Sequence, residues 1–270
     1  MRTVESMQVQ VKRMHNTTTE KLFSFIESSP TAFHAIETMR CRLDTEGYQP
    51  LLEGSDWNLQ AGGKYYVIRN GSSIIAFRIP TAEWKGFQIM ASHSDSPMFK
   101  IKENPEMEAE GHYVKLNVEK YGGMLCAPWF DRPLSVAGRL VVKEGNQIVT
   151  KLVDVKKDLV MIPSLAIHMN RDANNGVKFN PQKDLLPLYG DETAKGTFMA
   201  RIAELAGVTE NDILAHDLYV YSRTPGSVWG ASEEYISCGR LDDLQCAFSS
   251  LEGFLHAKDG ESIPLHCVFD

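Results

Sequence analysis

Phe87-Gln-Ile-Met-Ala-Ser-His93-Ser-Asp95-Ser-Pro97 is an apolar run that stops abruptly in a histidine and a carboxylate two residues apart. Side chains alternate along a strand, so residues i and i+2 project to the same side. An imidazole at position 93 can then ligate a metal while a carboxylate at 95 orients it. Taken alone, a His-x-Asp followed by proline reads equally well as a solvated turn. The surrounding sequence has to decide between the two.

Upstream, helices give way to strands. Thr17-Thr-Thr-Glu20 fits a capping box ahead of Leu22, Phe23, Phe25 and Ile26, and a second helix is expected from Thr31 to a stop at Gly47. Lys64–Arg69 and Ser72–Ile79 read as strands joined by Asn70-Gly71, a strong hairpin signal. Phe87–Ala91 is apolar throughout and is expected to be a central strand. Helices outside, a sheet inside and a polar site at a strand end are the geography of an α/β enzyme.

Downstream of Pro97 the character becomes β-rich. Tyr113–Val118 alternates, Leu134–Val142 and Gln147–Val153 flank a Glu144-Gly-Asn146 turn, and 170–192 reads as a long polar loop. A helix around Ala194–Ala206 and a strand at Asp217–Ser222 follow. From Asp242, Leu244, Phe248, Leu251, Phe254 and Leu255 recur at helical spacing, which puts Asp242 and Asp243 at a helix N-terminus. There a carboxylate pair commonly serves only to cap the helix and offset its dipole. The expected division is 1–97 as the first part of a catalytic α/β domain, 98–234 as a β-rich insertion, and 235–270 as the return to the catalytic domain.

Composition limits the chemistry. A chain of 270 residues, 43% hydrophobic and 23% charged, can bury a substantial core. Its net charge of −7 and pI near 5.7 argue against electrostatic nucleic-acid binding. There is no apolar run long enough to cross a membrane and no signal-peptide pattern, so a cytoplasmic location is expected. Five widely spaced cysteines without a Cys-x-x-Cys pair suggest reduced, mostly buried thiols. The sequence has no Gly-x-Ser-x-Gly, His-Glu-x-x-His, Walker or Gly-x-Gly-x-x-Gly motif, which leaves oxygen and imidazole ligands. His93 and Asp242 fall at opposite borders of the insertion, as in a catalytic domain interrupted by a second one. A carboxylate can bridge two metal ions that share an acidified water competent to attack an amide.

Four ordered motifs make the resemblance specific. His93-Ser-Asp95-Ser-Pro97, Tyr121-Gly-Gly-Met with Trp129-Phe-Asp131-Arg-Pro-Leu134, Pro163-Ser-Leu-Ala-Ile-His168-Met-Asn-Arg171 and Ser237-Cys-Gly-Arg-Leu-Asp242-Asp-Leu together resemble the M18 family of metallo-aminopeptidases, which includes aspartyl aminopeptidase. The resemblance implies a zinc-exopeptidase-type α/β domain interrupted by a β-rich domain, gives that insertion a role in oligomerisation, and implies two zinc ions per intact subunit (other divalent metals being possible) and large dodecameric self-assembly. It implies His93 as a zinc ligand, Asp95 as its orienting acid and Asp242 as the bridging carboxylate. His168 is implied on the substrate side, donated across a subunit interface and sometimes counted with the metal residues. Without the resemblance, His168 reads as a core histidine on an apolar segment.

The family continues past a strand like Pro264–Asp270 into Asn-Glu-Glu-Val-Gly, which supplies the general base and a further ligand. The 270 residues lack that segment and the later metal ligands. His256, at a helix end, and His266, within a strand, do not replace them. The expectation is therefore a fragment that is inactive by itself, with apolar core surface left exposed. The resemblance implies that the intact enzyme removes N-terminal residues from peptide substrates, with acidic residues the expectation from the family's best-known members. The rival expectation is an oligomerisation or regulatory module with a vestigial metal site.

Overall fold

In the computed structural model, which describes residues 17–270, the chain forms two units: residues up to Ser96 together with Pro225–Asp270, and Pro97–Thr224. The first unit resumes at Pro225, ahead of the expected residue 235. The reason is a hairpin of β11 (Ser227–Trp229) and β12 (Tyr235–Ser237) that belongs to it. Ile236 joins its core, and Gly226 lies so close to the Phe23 ring that a Cβ there would stand 2.5 Å from it.

The first unit has a five-stranded sheet in the order β1 (Gln49–Leu51), β2 (Lys64–Arg69), β3 (Ser73–Arg78), β13 (Ser262–Phe269), β4 (Gly86–His93). The β2–β3 hairpin turns at Asn70 and Gly71, both left-handed at φ 54° and 69°, the conformation a two-residue turn of this kind demands. On one face pack α1 (residues 17–27), α2 (Ala32–Thr45) and α4 (Leu241–His256), which bury Ile26, Ile36, Met39, Leu43, Leu251 and Phe254 against Tyr66, Ile74 and Val268. Each such large side chain contributes roughly 1.5–3 kcal/mol on full burial.

Two expectations change here. β4 is an edge strand among the described residues, pairing in parallel only with β13, and Phe87 and Ile89 are 60% and 63% exposed. An uninterrupted apolar run records what its faces avoid and carries no information on how many strands flank it. All five cysteines are free, yet only Cys267 is buried. Cys41 and Cys246 sit on solvent-facing positions of α2 and α4.

Arg78, buried at the end of β3, closes the far end of α4. It donates to the carbonyls of Phe254 at 2.6 Å and Ala257 at 2.9 Å, to Tyr48 Oη at 3.2 Å and to Asp259 Oδ1 at 3.1 Å. A cation is well placed at the C-terminus of a helix, where carbonyls lack intrahelical partners.

The second unit is a six-stranded antiparallel sheet in the order β8 (Gln147–Asp154), β7 (Leu134–Glu144), β10 (Ile213–Ser222), β5 (Met98–Ala109), β6 (Tyr113–Tyr121), β9 (Leu188–Asp191). Phe99, Leu116, Leu134, Leu140, Ile162 and Leu218 form its core, capped by Phe198 and Ile202 of α3 (Phe198–Ala206). The expected polar loop is real up to Pro187. Its last residues form β9, which pairs with β6, and Leu185 and Leu186 beneath it are buried. No helix among the described residues is long and apolar enough to cross a membrane.

Candidate metal centre

β4 ends at His93, beside the parallel strand β13, with Phe269 as its register partner. Ser94 anchors the turn that follows, its amide donating to the Phe269 carbonyl at 2.8 Å and its hydroxyl to the Ser72 carbonyl at 2.7 Å. Ser96 Oγ donates to the Asp242 carbonyl at 2.8 Å, which ties this turn to the start of α4. The strand end and the helix start thus meet at the carboxyl edge of the parallel pair, where α/β folds place ligands.

His93 is fixed on both sides of its ring. Nδ1 lies 3.0 Å from Asp95 Oδ1 and 3.1 Å from the Asp95 carbonyl oxygen. Two acceptors there hold the proton on Nδ1 and leave the Nε2 lone pair free for a metal. Nε2 faces Asp242 Oδ1 at 3.4 Å and Asp243 Oδ2 at 3.7 Å. Asp242 and Asp243 depart from helical dihedrals and are joined by a cis peptide bond. The Asp243 side chain is largely shielded and accepts the His93 amide at 2.9 Å, whereas that of Asp242 is 84% exposed.

Among the described residues His93, Asp242 and Asp243 form one group whose candidate ligand atoms all lie within 4.8 Å of one another. An imidazole and two carboxylates suit zinc, which takes nitrogen and oxygen donors, and a divalent cation would offset the gathered negative charge. The structure therefore brings His93, Asp95 and Asp242 together. It adds Asp243, which reads in the sequence as part of a helix cap. The Asp-Asp pair itself was the available signal. Asp243 also pushes up the pKa of the neighbouring Cys246 thiol by accepting its hydrogen bond.

Beneath the strand end, Ser250 Oγ of α4 lies 2.8 Å from Nε2 of His266 and 3.5 Å from Ser92 Oγ. His266 is fully buried, and burial lowers its pKa to about 4. It stacks on Phe254 at 5.7 Å and stays outside the ligand group.

His168 belongs to the second unit, on a short turn at Ile167–Met169. Its neighbours Leu165 and Met169 are 68% and 78% exposed, so the segment is not a core element. The root of this segment is held by Asp131, a left-handed residue at φ 56°. The Asp131 amide donates to the Ile162 carbonyl at 3.0 Å, and its carboxylate accepts the Ser164 amide at 2.8 Å. The amide and hydroxyl of Ser164 hold the Asp131 carboxyl below the ordinary carboxylate range.

The family model described as aminopeptidase I zinc metalloprotease (M18) matches residues 25–270. A probable M18 family aminopeptidase 2 of Clostridium novyi is 42% identical over 258 residues, covering 93% of this chain and 60% of the relative. Among solved structures, mApe1 of Chaetomium thermophilum superposes with a TM-score of 0.86 at 31% identity, over 94% of this chain and 62% of that one. A chain of the S. cerevisiae mApe1 dodecamer superposes at 0.78 and 25% identity, over 93% of this chain and 60% of that one. The chain spans about 60% of the length of the curated relatives it matches. With its motifs, fold and matched residues in agreement, the chain belongs to the M18 family of zinc metalloproteases.

Proposed function

We propose that the chain carries part of the catalytic centre of a zinc-dependent aminopeptidase. His93, Asp242 and Asp243 would hold metal, Asp95 orients His93, and His168 contacts substrate. The observation that carries this reading is the His93 imidazole held between the Asp95 carboxylate on Nδ1 and two carboxylates facing Nε2. Zinc bound there supplies Lewis acidity toward a peptide carbonyl and an acidified water. Asp242, the more exposed of the pair, is the carboxylate suited to bridge two ions in the intact subunit. The substrates are peptides with a free N-terminus, and an acidic first residue is the preference proposed.

The 270 residues alone would not turn over. Asp95 is engaged by Nδ1, Asp243 by the His93 amide, and Asp242 is needed as a ligand, so within this group no carboxylate is left to act as general base. Self-association into a large homo-oligomer through the β-rich unit and a cytoplasmic location complete the proposal. The five free cysteines are consistent with a reducing compartment.

Zinc analysis of purified 1–270 tests the centre. About one zinc per chain is expected, falling several-fold in His93→Ala and Asp242→Asn with circular dichroism unchanged. Metal-free protein with a large closed oligomeric mass would instead favour an assembly module with a vestigial site. Robust metal-dependent release of N-terminal residues by 1–270 would overturn the inactivity.

A further inference from the structure

We propose that Asp131 is a positioning residue, the latch that sets the His168 segment at a fixed register on the second unit's sheet. From Phe130 to Leu134 the chain runs beside 160–164, with bridges Phe130↔Ile162 and Leu134↔Val160. Backbone pairing continues through the Asp131 amide on the Ile162 carbonyl and then runs out. The next amide, that of Ser164, is taken by a side chain, the Asp131 carboxylate at 2.8 Å. Among the described residues this is the last hydrogen bond joining the segment to the sheet before His168. The bonds of 166–170 are internal to the turn, from Met169 to Ala166 and from Asn170 to Ile167.

Both properties of residue 131 matter. At φ 56° the backbone is left-handed, a region that aspartate and asparagine enter more readily than other non-glycine residues. That conformation turns the side chain back along the chain toward Ser164 while its own amide still reaches Ile162. A charged acceptor makes the stronger kind of hydrogen bond, and the site is exposed, so the bond is not imposed by a surrounding core. The segment beyond it keeps Leu165, Ile167 and Met169 in solvent, and apolar side chains there would collapse inward if the root were released. The latch thus holds an apolar, histidine-bearing turn away from its own unit, as a residue that must meet substrate requires. The inference rests on the reading of His168 as a substrate-side residue.

Hydrogen exchange of 1–270, resolved by peptide over 163–171 and over β7, tests it. Asp131→Ala is expected to speed exchange of 163–170 about tenfold while β7 stays within about twofold. Asp131→Asn, which tolerates the left-handed backbone and keeps an oxygen acceptor, is expected to recover most of the protection. Asp131→Gly relaxes the backbone but lacks the acceptor, and should resemble alanine at Ser164. Unchanged exchange in Asp131→Ala overturns the latch, and so does an asparagine variant as unprotected as alanine while β7 remains intact. A His168→Ala substitution in the whole enzyme separates the two claims. Unaltered peptide release there refutes the substrate-side reading and removes the functional half of the inference, whatever exchange shows.

Discussion

Replacing Asp95 by alanine tests how the candidate metal centre is held together. In the structure Nδ1 of His93 has two acceptors, the Asp95 carboxylate at 3.0 Å and the Asp95 carbonyl at 3.1 Å. The substitution removes the first and leaves the second, so the proton stays on Nδ1 and Nε2 keeps its lone pair. What disappears is the charge that makes the imidazole a better donor. Loss of a partner behind a ligating histidine typically weakens metal binding roughly 10- to 100-fold. The retained carbonyl places this case at the lower end, about tenfold or ~1.4 kcal/mol. Asp95→Asn keeps a neutral acceptor and should fall between wild type and alanine. His93→Ala removes a ligand outright and should exceed both. The assay is competitive zinc titration of 1–270 against a chromophoric chelator near neutral pH, with circular dichroism as a control on folding. Zinc affinity unchanged in Asp95→Ala refutes the orienting role. A loss as large as that of His93→Ala would refute it differently, by making Asp95 a ligand in its own right.

Two stability predictions concern the first unit. The pKa of His266 is depressed by burial from 6.5 to about 4, so the unfolded chain takes up the proton more readily than the folded one. Its contribution is complete above about pH 6.5 and falls as pH drops toward 4, by about 3 kcal/mol in all. Urea midpoints of this unit across that range should fall less steeply in His266→Met, and equal slopes in variant and wild type would exclude His266 as the source. Arg78→Met keeps an apolar stem but strips the Phe254 and Ala257 carbonyls of their donor and ends the contact of the guanidinium with the Phe254 ring at 4.9 Å. We expect a loss of about 3 kcal/mol in chemical denaturation, with faster amide exchange in the last turn of α4. A change within about 0.5 kcal/mol would contradict the capping role.

Local chemistry was legible in the sequence wherever a single residue type answers a single backbone demand. Asn70-Gly71 announces its hairpin because two successive left-handed residues are needed there. His93-Ser-Asp95 is legible as a local pair two residues apart, though the strand ends at His93 and it is the turn anchored by Ser94 and Ser96, not alternation, that sets Asp95 against the ring. Partnerships set by distant packing were not legible. β5 escaped notice because Lys100, Lys102, Glu103 and Glu106 interrupt its apolar pattern and its pairing with β6 shifts register between Ile101 and Glu106. The return to the first unit at Pro225 is not legible because the contacts that tie it there, Gly226 against Phe23 and Ile236 of β12 against the unit's core, reach back some two hundred residues. Asp243 was hidden by ambiguity rather than distance. A carboxylate at a helix start serves a cap and a cation equally well, and only the position of the His93 amide and ring separates them.

The pairing of β5 with β10 sets an order of assembly. Phe99 and Val220 are register partners, so the two ends of the inserted unit lie side by side. A sequence whose ends meet on folding can interrupt a strand–helix–strand path at little entropic cost, because the long excursion becomes a short bridge. On the ribosome, β4 emerges with its backbone edge unpaired and must wait for α4 and β13, which follow the whole insertion. At ordinary rates of synthesis that wait is on the order of ten seconds. The inserted unit, contiguous in sequence, can complete its sheet meanwhile. His93 therefore gains Asp242 and Asp243 as neighbours only after about 150 further residues have been made, and the ligand group forms after the inserted unit rather than seeding it.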